Sequence, residues 1–368
     1  MRALSIAHTE ASMGWGGQEI RILTEARGMQ ERGHRVVLYA PPGARIAEEA
    51  AGYGVPRLEL PIGRKRPAGV AALVRAFRAA RHDVVNTHSS TDSWLAALAC
   101  RFVRDPPAIL RTRHVFVPVP NDPATRWLYR KATARVVTTG EALAQQLVRD
   151  NGLDPACVES IPTGIDASRY GAIGREEARR TLGLPADAPI VGIVATLRSW
   201  KGHRHLLDAL PLVSESRTLL VIVGDGPQRE ALVARVSALG LGDRVRFAGQ
   251  QTDVAPWLAA FDVFALPSTA NEGVPQALLQ AMFAGIPCVT TAAGAIPEIA
   301  RGGETALVVP AGDPRALAAA IDRLFADSAL REHLAAAARA YVAPRFGLAT
   351  MLDRMEAAFH RAIEDARR

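Results

Sequence analysis

Short apolar strands alternate with helices through the first 165 or so residues, and the same alternation restarts near residue 189. That pattern forces parallel sheets, because each strand must return through a crossover before it can pair in the same direction as the last. In the first half ALSIAHT reads as a strand, followed by a glycine loop and a helix from Gln18 to Arg32. HRVVLYA and LELP follow as strands, then a helix over 68–81, DVVNTH, a helix over 91–103, AILRTRH, a helix over 123–132, RVVTTG, a helix over 141–151 and VESIPTG. A polar stretch at 166–189 separates this series from PIVGIVAT, a helix over 203–214, LLVIVGDG, a helix over 227–239 and RVRFAG. The second series continues with a helix over 253–260, VFALPS, a helix over 275–284, PCVTT, ALVVP, a helix over 314–326 and a long terminal helical region. Two such series predict an α/β chain of two Rossmann-like domains joined near residues 164–175.

Composition narrows the class. Hydrophobic residues make up 49% and charged residues 22%, which excludes disorder. Aromatics are only 5%, so Ala, Leu and Val must fill most of the core. Cys100, Cys157 and Cys288 share no close spacing, which gives neither a metal pattern nor a disulfide framework. The apolar run before His8 is too brief for a signal peptide, and no run approaches the roughly 18 apolar residues of a membrane helix. A cytoplasmic protein is expected. Its net charge of +7 is uneven, with 22 Lys and Arg against 16 Asp and Glu in residues 1–168 and 22 against 21 thereafter. Either an acidic partner meets the first half or the excess is a solvated surface.

Open parallel sheets bind ligands beyond the carboxyl ends of their strands. The residues there include Gly16, Gly17, His88, His114, Gly164, Arg198, Lys201, Gly224, Gly249 and Glu272. In MGWGGQE, residues 13–19, glycines between strand and helix let backbone amides approach an anion. The segment is not G-x-G-x-x-G, and Gly224-Asp225-Gly226 also lacks the third glycine, which disfavours a dinucleotide-dependent hydride transfer. Nucleic acid as partner would explain the positive charge but not these strand-end motifs.

The segment ALPSTANEGVPQALLQAMFAGIPCVTT, residues 265–291, is the most informative. A strand ends at Leu266, a loop carries Glu272 and Gly273, and Pro275 is expected to open a helix whose free amides suit a diphosphate. Gln280 follows Glu272 by eight residues, about two helical turns. On their own these two residues read first as a capping Glu and a surface Gln.

They do not stand alone. The segment resembles the E-x7-E signature of the family 4 glycosyltransferases, which adopt the GT-B fold. GGQE at 16–19, RGHRV at 32–36, IPTGID at 161–166, LRSWKG at 197–202, VGDGP at 223–227 and VRFAG at 245–249 fall in that family's order. WGGQE, NTHSSTDSW and RTRH look like bacterial enzymes of lipopolysaccharide or surface-polysaccharide assembly.

The resemblance implies a first domain over 1–166, completed by a C-terminal helix at about 345–368 that crosses back to it, and a nucleotide-sugar domain over 167–344, with the two sheets facing a cleft. It implies retaining transfer from a nucleotide-diphosphate sugar to a glycan or lipid-linked acceptor, with no cofactor and no metal. Glu272 would meet the donor sugar, with Gly273, Val274 and Pro275 near the sugar and phosphates. Gln280 stands where the family places its second acid, on the ribose, and an amide can still bond there. Gly16, Gly17, Gly224 and Gly249 complete the donor side. Arg198 and Lys201 look like the cations that stabilise the leaving diphosphate. Where the family more often has Arg, five residues before the Lys, this chain has Thr196. His114 would sit beside the donor sugar and His88 on the acceptor side, where Asp92 either shapes the site or caps the next helix.

Val70, Leu73, Val74 and Phe77 follow helical spacing, so most should pack on the core, while Arg64, Lys65, Arg66, Arg75, Arg78 and Arg81 could face anionic lipid on the inner membrane surface. Two alternatives remain open at this stage: a nucleotide-sugar epimerase of related fold, and an idle nucleotide-sugar-binding subunit.

Overall fold

A computed structural model describes residues 2–270 and 272–367. The chain divides into two compact units, Met1–Gly164 with Ala349–Arg368, and Ile165–Leu348.

The first unit is built on seven strands: β1 (Ser5–Thr9), β2 (Arg35–Ala40), β3 (Arg57–Glu59), β4 (Val84–Thr87), β5 (Ala108–Arg113), β6 (Arg135–Thr138) and β7 (Val158–Ser160). Their order is β3-β2-β1-β4-β5-β6-β7, and the recorded pairs are parallel. β1, β4 and β6 are buried along their whole length, as strands covered by helices on both faces must be. Chain order reverses between β1 and β4, and open parallel sheets take ligands beyond the carboxyl ends of the strands at such a switch point.

Helix Leu348–Arg367 closes this unit. It buries Met351, Leu352, Met355, Ala358, Phe359 and Ala362. Gly28 on helix Gly17–Glu31 permits the close approach, since a Cβ there would fall 2.4 Å from Leu352 Cδ1. Arg32 clamps the two helices through Asp353 at 2.7 Å and Glu356 at 2.9 Å, and Arg135 holds Asp365 at 2.7 Å.

The second unit carries β8 (Ile190–Val194), β9 (Leu219–Val223), β10 (Val245–Gly249), β11 (Val263–Leu266), β12 (Cys288–Thr290) and β13 (Leu307–Val308) in the order β10-β9-β8-β11-β12-β13. The recorded pairs are again parallel, with the reversal between β8 and β11. Its core is aliphatic, with Leu220, Val221, Ile222, Val263, Leu278 and Leu279 among the residues shielded from solvent.

Several details differ from the sequence reading. Helix Arg175–Leu182 lies inside the stretch read as polar connection; it buries Ala178 and the Arg179 side chain, which binds Asp262 at 2.6 Å. The helix expected over 123–132 is α-helical only to Trp127 and widens to a π turn over Leu128–Ala132. Pro275 is the residue before helix Gln276–Phe283 rather than its first turn. On helix Pro67–Ala80, Leu73 and Phe77 enter the core, whereas Val70 and Val74 are only half-buried. Among the described residues no helix is long and apolar enough to cross a membrane.

Candidate active site

In the second unit, Lys201 follows β8 and Glu272 follows β11, the two strands that flank the reversal. Their side chains meet there: Lys201 Nζ donates to Glu272 Oε1 at 2.7 Å and Oε2 at 2.9 Å. Ser268 Oγ donates to Oε1 at 2.6 Å. The carboxylate is thus buried and oriented from two sides, and the ammonium, partly open to solvent, offsets its charge.

Glycines let the surrounding loops interlock. Gly202 has φ +78, and a Cβ would stand 2.0 Å from the Pro267 carbonyl oxygen. Gly294 has φ +56, and a Cβ would stand 2.1 Å from the Glu272 carbonyl oxygen, which accepts the Ala295 amide at 3.0 Å. The turns after β8, β11 and β12 therefore fix the backbone at both ends of the Lys201–Glu272 pair. Gly224, φ +139, comes equally close to Ala195, and its amide donates to the Gly249 carbonyl at 2.8 Å. Gly273, Val274 and Pro275 are buried between Glu272 and the first turn of helix Gln276–Phe283.

Two further residues lie differently. Arg198 is exposed, its guanidinium 5.7 Å from the centre of the Trp200 ring, and takes no part in the Lys201–Glu272 pair. Gln280 is half-buried and interacts with Tyr170, whose hydroxyl burial pushes up to about 12.

In the first unit residues at the carboxyl ends of β1, β4 and β5 converge. His8, on β1, joins His88 through Nδ1 and Nε2 at 3.0 Å, and His88 Nδ1 joins His114 Nε2 at 2.9 Å. The His8 and His88 rings stack with centroids 5.3 Å apart. Burial, with the positive charge of Arg21, lowers His8 to about 3; burial foremost also holds His88 and His114 well below the ordinary histidine range. Asp92 is fully buried as the third residue of a capping box on helix Ser90–Cys100. Its oxygens accept Thr9 Oγ1 at 2.7 Å, the His88 amide at 2.9 Å and the Ser89 amide at 2.8 Å, so it fixes the backbone that presents His88. Gly16 and Gly17 open helix Gly17–Glu31; Gly16 is extended at φ −173, a conformation open to any residue. Glu10, buried beside them, is raised well above the usual carboxylate range by burial and by Asp92 and Glu19.

Sequence reasoning missed Ser268, Gly294, His8 and Glu10. The signal for His8 was available: a histidine inside an otherwise apolar parallel strand needs a polar partner. Ser268 and Gly294 gave none, because their role arises from loops distant in sequence. Among the described residues no cluster of three or more His, Cys, Asp or Glu side chains could hold a metal ion.

Residues 15–169 match the family described as Glycosyltransferase Family 4, and residues 188–327 match Glycosyl transferases group 1. The chain belongs to glycosyltransferase family 4. It is 28% identical over 379 residues to the 2-deoxystreptamine N-acetyl-D-glucosaminyltransferase of Streptomyces fradiae, covering 91% of this chain and 89% of that protein. It is 36% identical over 170 residues to the lipopolysaccharide core biosynthesis glycosyltransferase LpsE of Rhizobium meliloti, 46% of this chain and 49% of the other. The fold matches Anabaena HepE, solved in complex with UDP and glucose, with a TM-score of 0.86 at 21% identity, over 97% of this chain and 99% of that one. This glycosyltransferase therefore has the expected GT-B fold.

Proposed function

We propose that this glycosyltransferase takes a nucleotide-diphosphate sugar and transfers the sugar with retention, without a bound metal, to a glycan or lipid-linked acceptor in lipopolysaccharide or surface-polysaccharide assembly. The Lys201–Glu272 pair carries the reading. It stands at the β8/β11 reversal, where an open parallel sheet takes its ligand, beside the start of helix Gln276–Phe283. An arriving diphosphate competes with Glu272 for the ammonium, leaving the carboxylate to accept from sugar hydroxyls while Lys201 meets the charge that grows on the leaving group. Arg198, exposed nearby in sequence, is free to swing onto the same phosphates. The complex of HepE with UDP and glucose supports a nucleotide-sugar donor, and likeness to LpsE supports the pathway.

The test is a thermal-shift series with UDP, GDP and their sugars. A diphosphate at a hundredfold its Kd should stabilise the protein by about 2.7 kcal/mol. Lys201→Ala should abolish that shift, and proton NMR of the product should show the donor's anomeric configuration. A protein stabilised by none of these ligands would refute the reading.

We further propose that the first unit meets an anionic membrane surface. Helices Pro67–Ala80 and Ser90–Cys100 border an apolar groove of about 740 Å³ lined by Val70, Val74, Trp94, Leu98 and Phe102, with Lys65, Arg66 and Arg75 at its edge. Phe102 is 62% exposed and Leu98 40%. Apolar side chains ringed by cations suit a surface of acyl chains and anionic headgroups. Flotation with anionic liposomes but not with neutral ones is expected, and equal binding to both would count against it.

A further inference from the structure

The three-histidine row of the first unit holds information about where its protons sit. His8 is fully buried; its Nδ1 faces His88, but among the described residues its Nε2 has no hydrogen-bond partner. The ring beside it is Phe359, T-shaped with centroids 6.4 Å apart, which offers at most a weak π acceptor. A neutral imidazole carries one N–H and one bare nitrogen. A buried N–H without an acceptor is the costlier orphan, so the single proton of His8 belongs on Nδ1 and the bare lone pair on Nε2.

That choice propagates. His8 Nδ1–H donates to His88 Nε2, so His88 must carry its own proton on Nδ1. His88 Nδ1–H in turn donates to His114 Nε2, at 2.9 Å. His114 is then left with its proton on Nδ1. The reverse chain would bury a bare N–H at His8. Burial and the Arg21 charge hold all three rings in the one-proton form that this logic requires.

We propose that His8 and His88 are positioning residues that fix the single imidazole proton of His114 on Nδ1, so that His114 meets substrate at the carboxyl end of β5 as a hydrogen-bond donor and not as a base. The second half of this statement rests on the transferase reading above; the first half does not. His114 follows β5 directly and is half-buried, the most open member of the row. Among the described residues its Nδ1 has no recorded side-chain or backbone partner, so that N–H is the one free to bind a ligand oxygen.

Two-bond proton–nitrogen correlation on the full chain labelled with [15N]histidine reads the tautomers directly, with no ligand present. The nine histidines are assigned by single substitutions. The expected result at pH 7.5 is the Nδ1–H form at His8, His88 and His114. An Nε2–H or doubly protonated His114 would overturn the proposal.

Transfer kinetics supply the second readout. His88→Phe should release the His114 tautomer and lower kcat by about tenfold or more, with KM held within about threefold, because a substrate hydroxyl can turn and donate instead. His88→Asn, whose amide N–H stands at the Nδ1 position, should recover most of that loss. A His88→Phe protein that loses kcat while His114 keeps its Nδ1–H form would also overturn the positioning role. Should the wild-type protein turn over no sugar nucleotide, the transferase reading fails, while the tautomer spectrum still decides where the proton sits.

Discussion

Glu272 shows how one side chain serves both stability and function. Buried, and bonded among the described residues by one ammonium and one hydroxyl, it is a carboxylate whose partner cannot be removed cheaply. Truncating Lys201 to Ala should therefore cost stability as well as ligand binding, by about 3 kcal/mol in urea unfolding, less where water reaches the vacated edge. Glu272→Gln in the same background should restore part of it, because the uncompensated charge is gone. If the two changes simply add, the residues are not coupled. Gly294 tests the bracing of the same residue: Gly294→Ala places a Cβ against the Glu272 backbone at positive φ and should destabilise the second unit by about 2–3 kcal/mol. At this scale the sequence was partly readable. Glu272 and Lys201 stood out because each follows a strand in a patterned loop, whereas Gly294 looked like any turn glycine, since its partner is a carbonyl more than twenty positions away.

Among elements, those with strong periodicity and punctuation were legible. The expected helix over 141–151 matches Glu141–Asn151, which Gly152 ends at φ +57, and that over 314–326 matches Pro314–Ala326, which Asp313 caps. Helix Arg175–Leu182 was hidden because only Ala178 and Leu182 in it are apolar; it is held instead by the pairing of buried Arg179 with half-buried Asp262, a tertiary contact that no local pattern announces. Helix Leu348–Arg367 draws its hold from Phe359, fully buried in the first unit. Phe359→Ala should lower that unit's unfolding free energy by about 3–5 kcal/mol, measured by chemical denaturation with a probe in the first unit. A loss below about 1 kcal/mol would mean the helix is not integral to it.

For the molecule as a whole, buried ionisable groups set the response to acid, and two sets oppose each other. Burial lowers His8 and His203 to about 3, His82 to about 4, and His88 and His114 well below 6.5. For each, the unfolded chain binds the proton first, so stability falls as pH drops from about 6.5 toward the folded value, by up to about 1.4 kcal/mol per unit. Burial raises Glu25 to about 7, and raises Glu10, Glu19 and Asp92. There the folded chain binds the proton first, and stability rises as pH drops until the unfolded carboxyls also protonate near 4.5. Melting temperature should therefore change little between pH 6.5 and 4.5 and fall steeply below it. A steady decline from pH 6.5 would show that the carboxyls titrate normally. None of this was visible in the composition, because a charge count does not say which groups lie inside.

Residues 349–367 complete a unit whose other elements are all made before residue 165. On the ribosome, then, the first sheet waits: its pocket for Phe359 stays unfilled while the whole of the second unit is synthesised. A chain interrupted near residue 340 would emerge with one unit nearly whole and the other exposing an apolar trough, the kind of nascent product that chaperones hold and proteases clear.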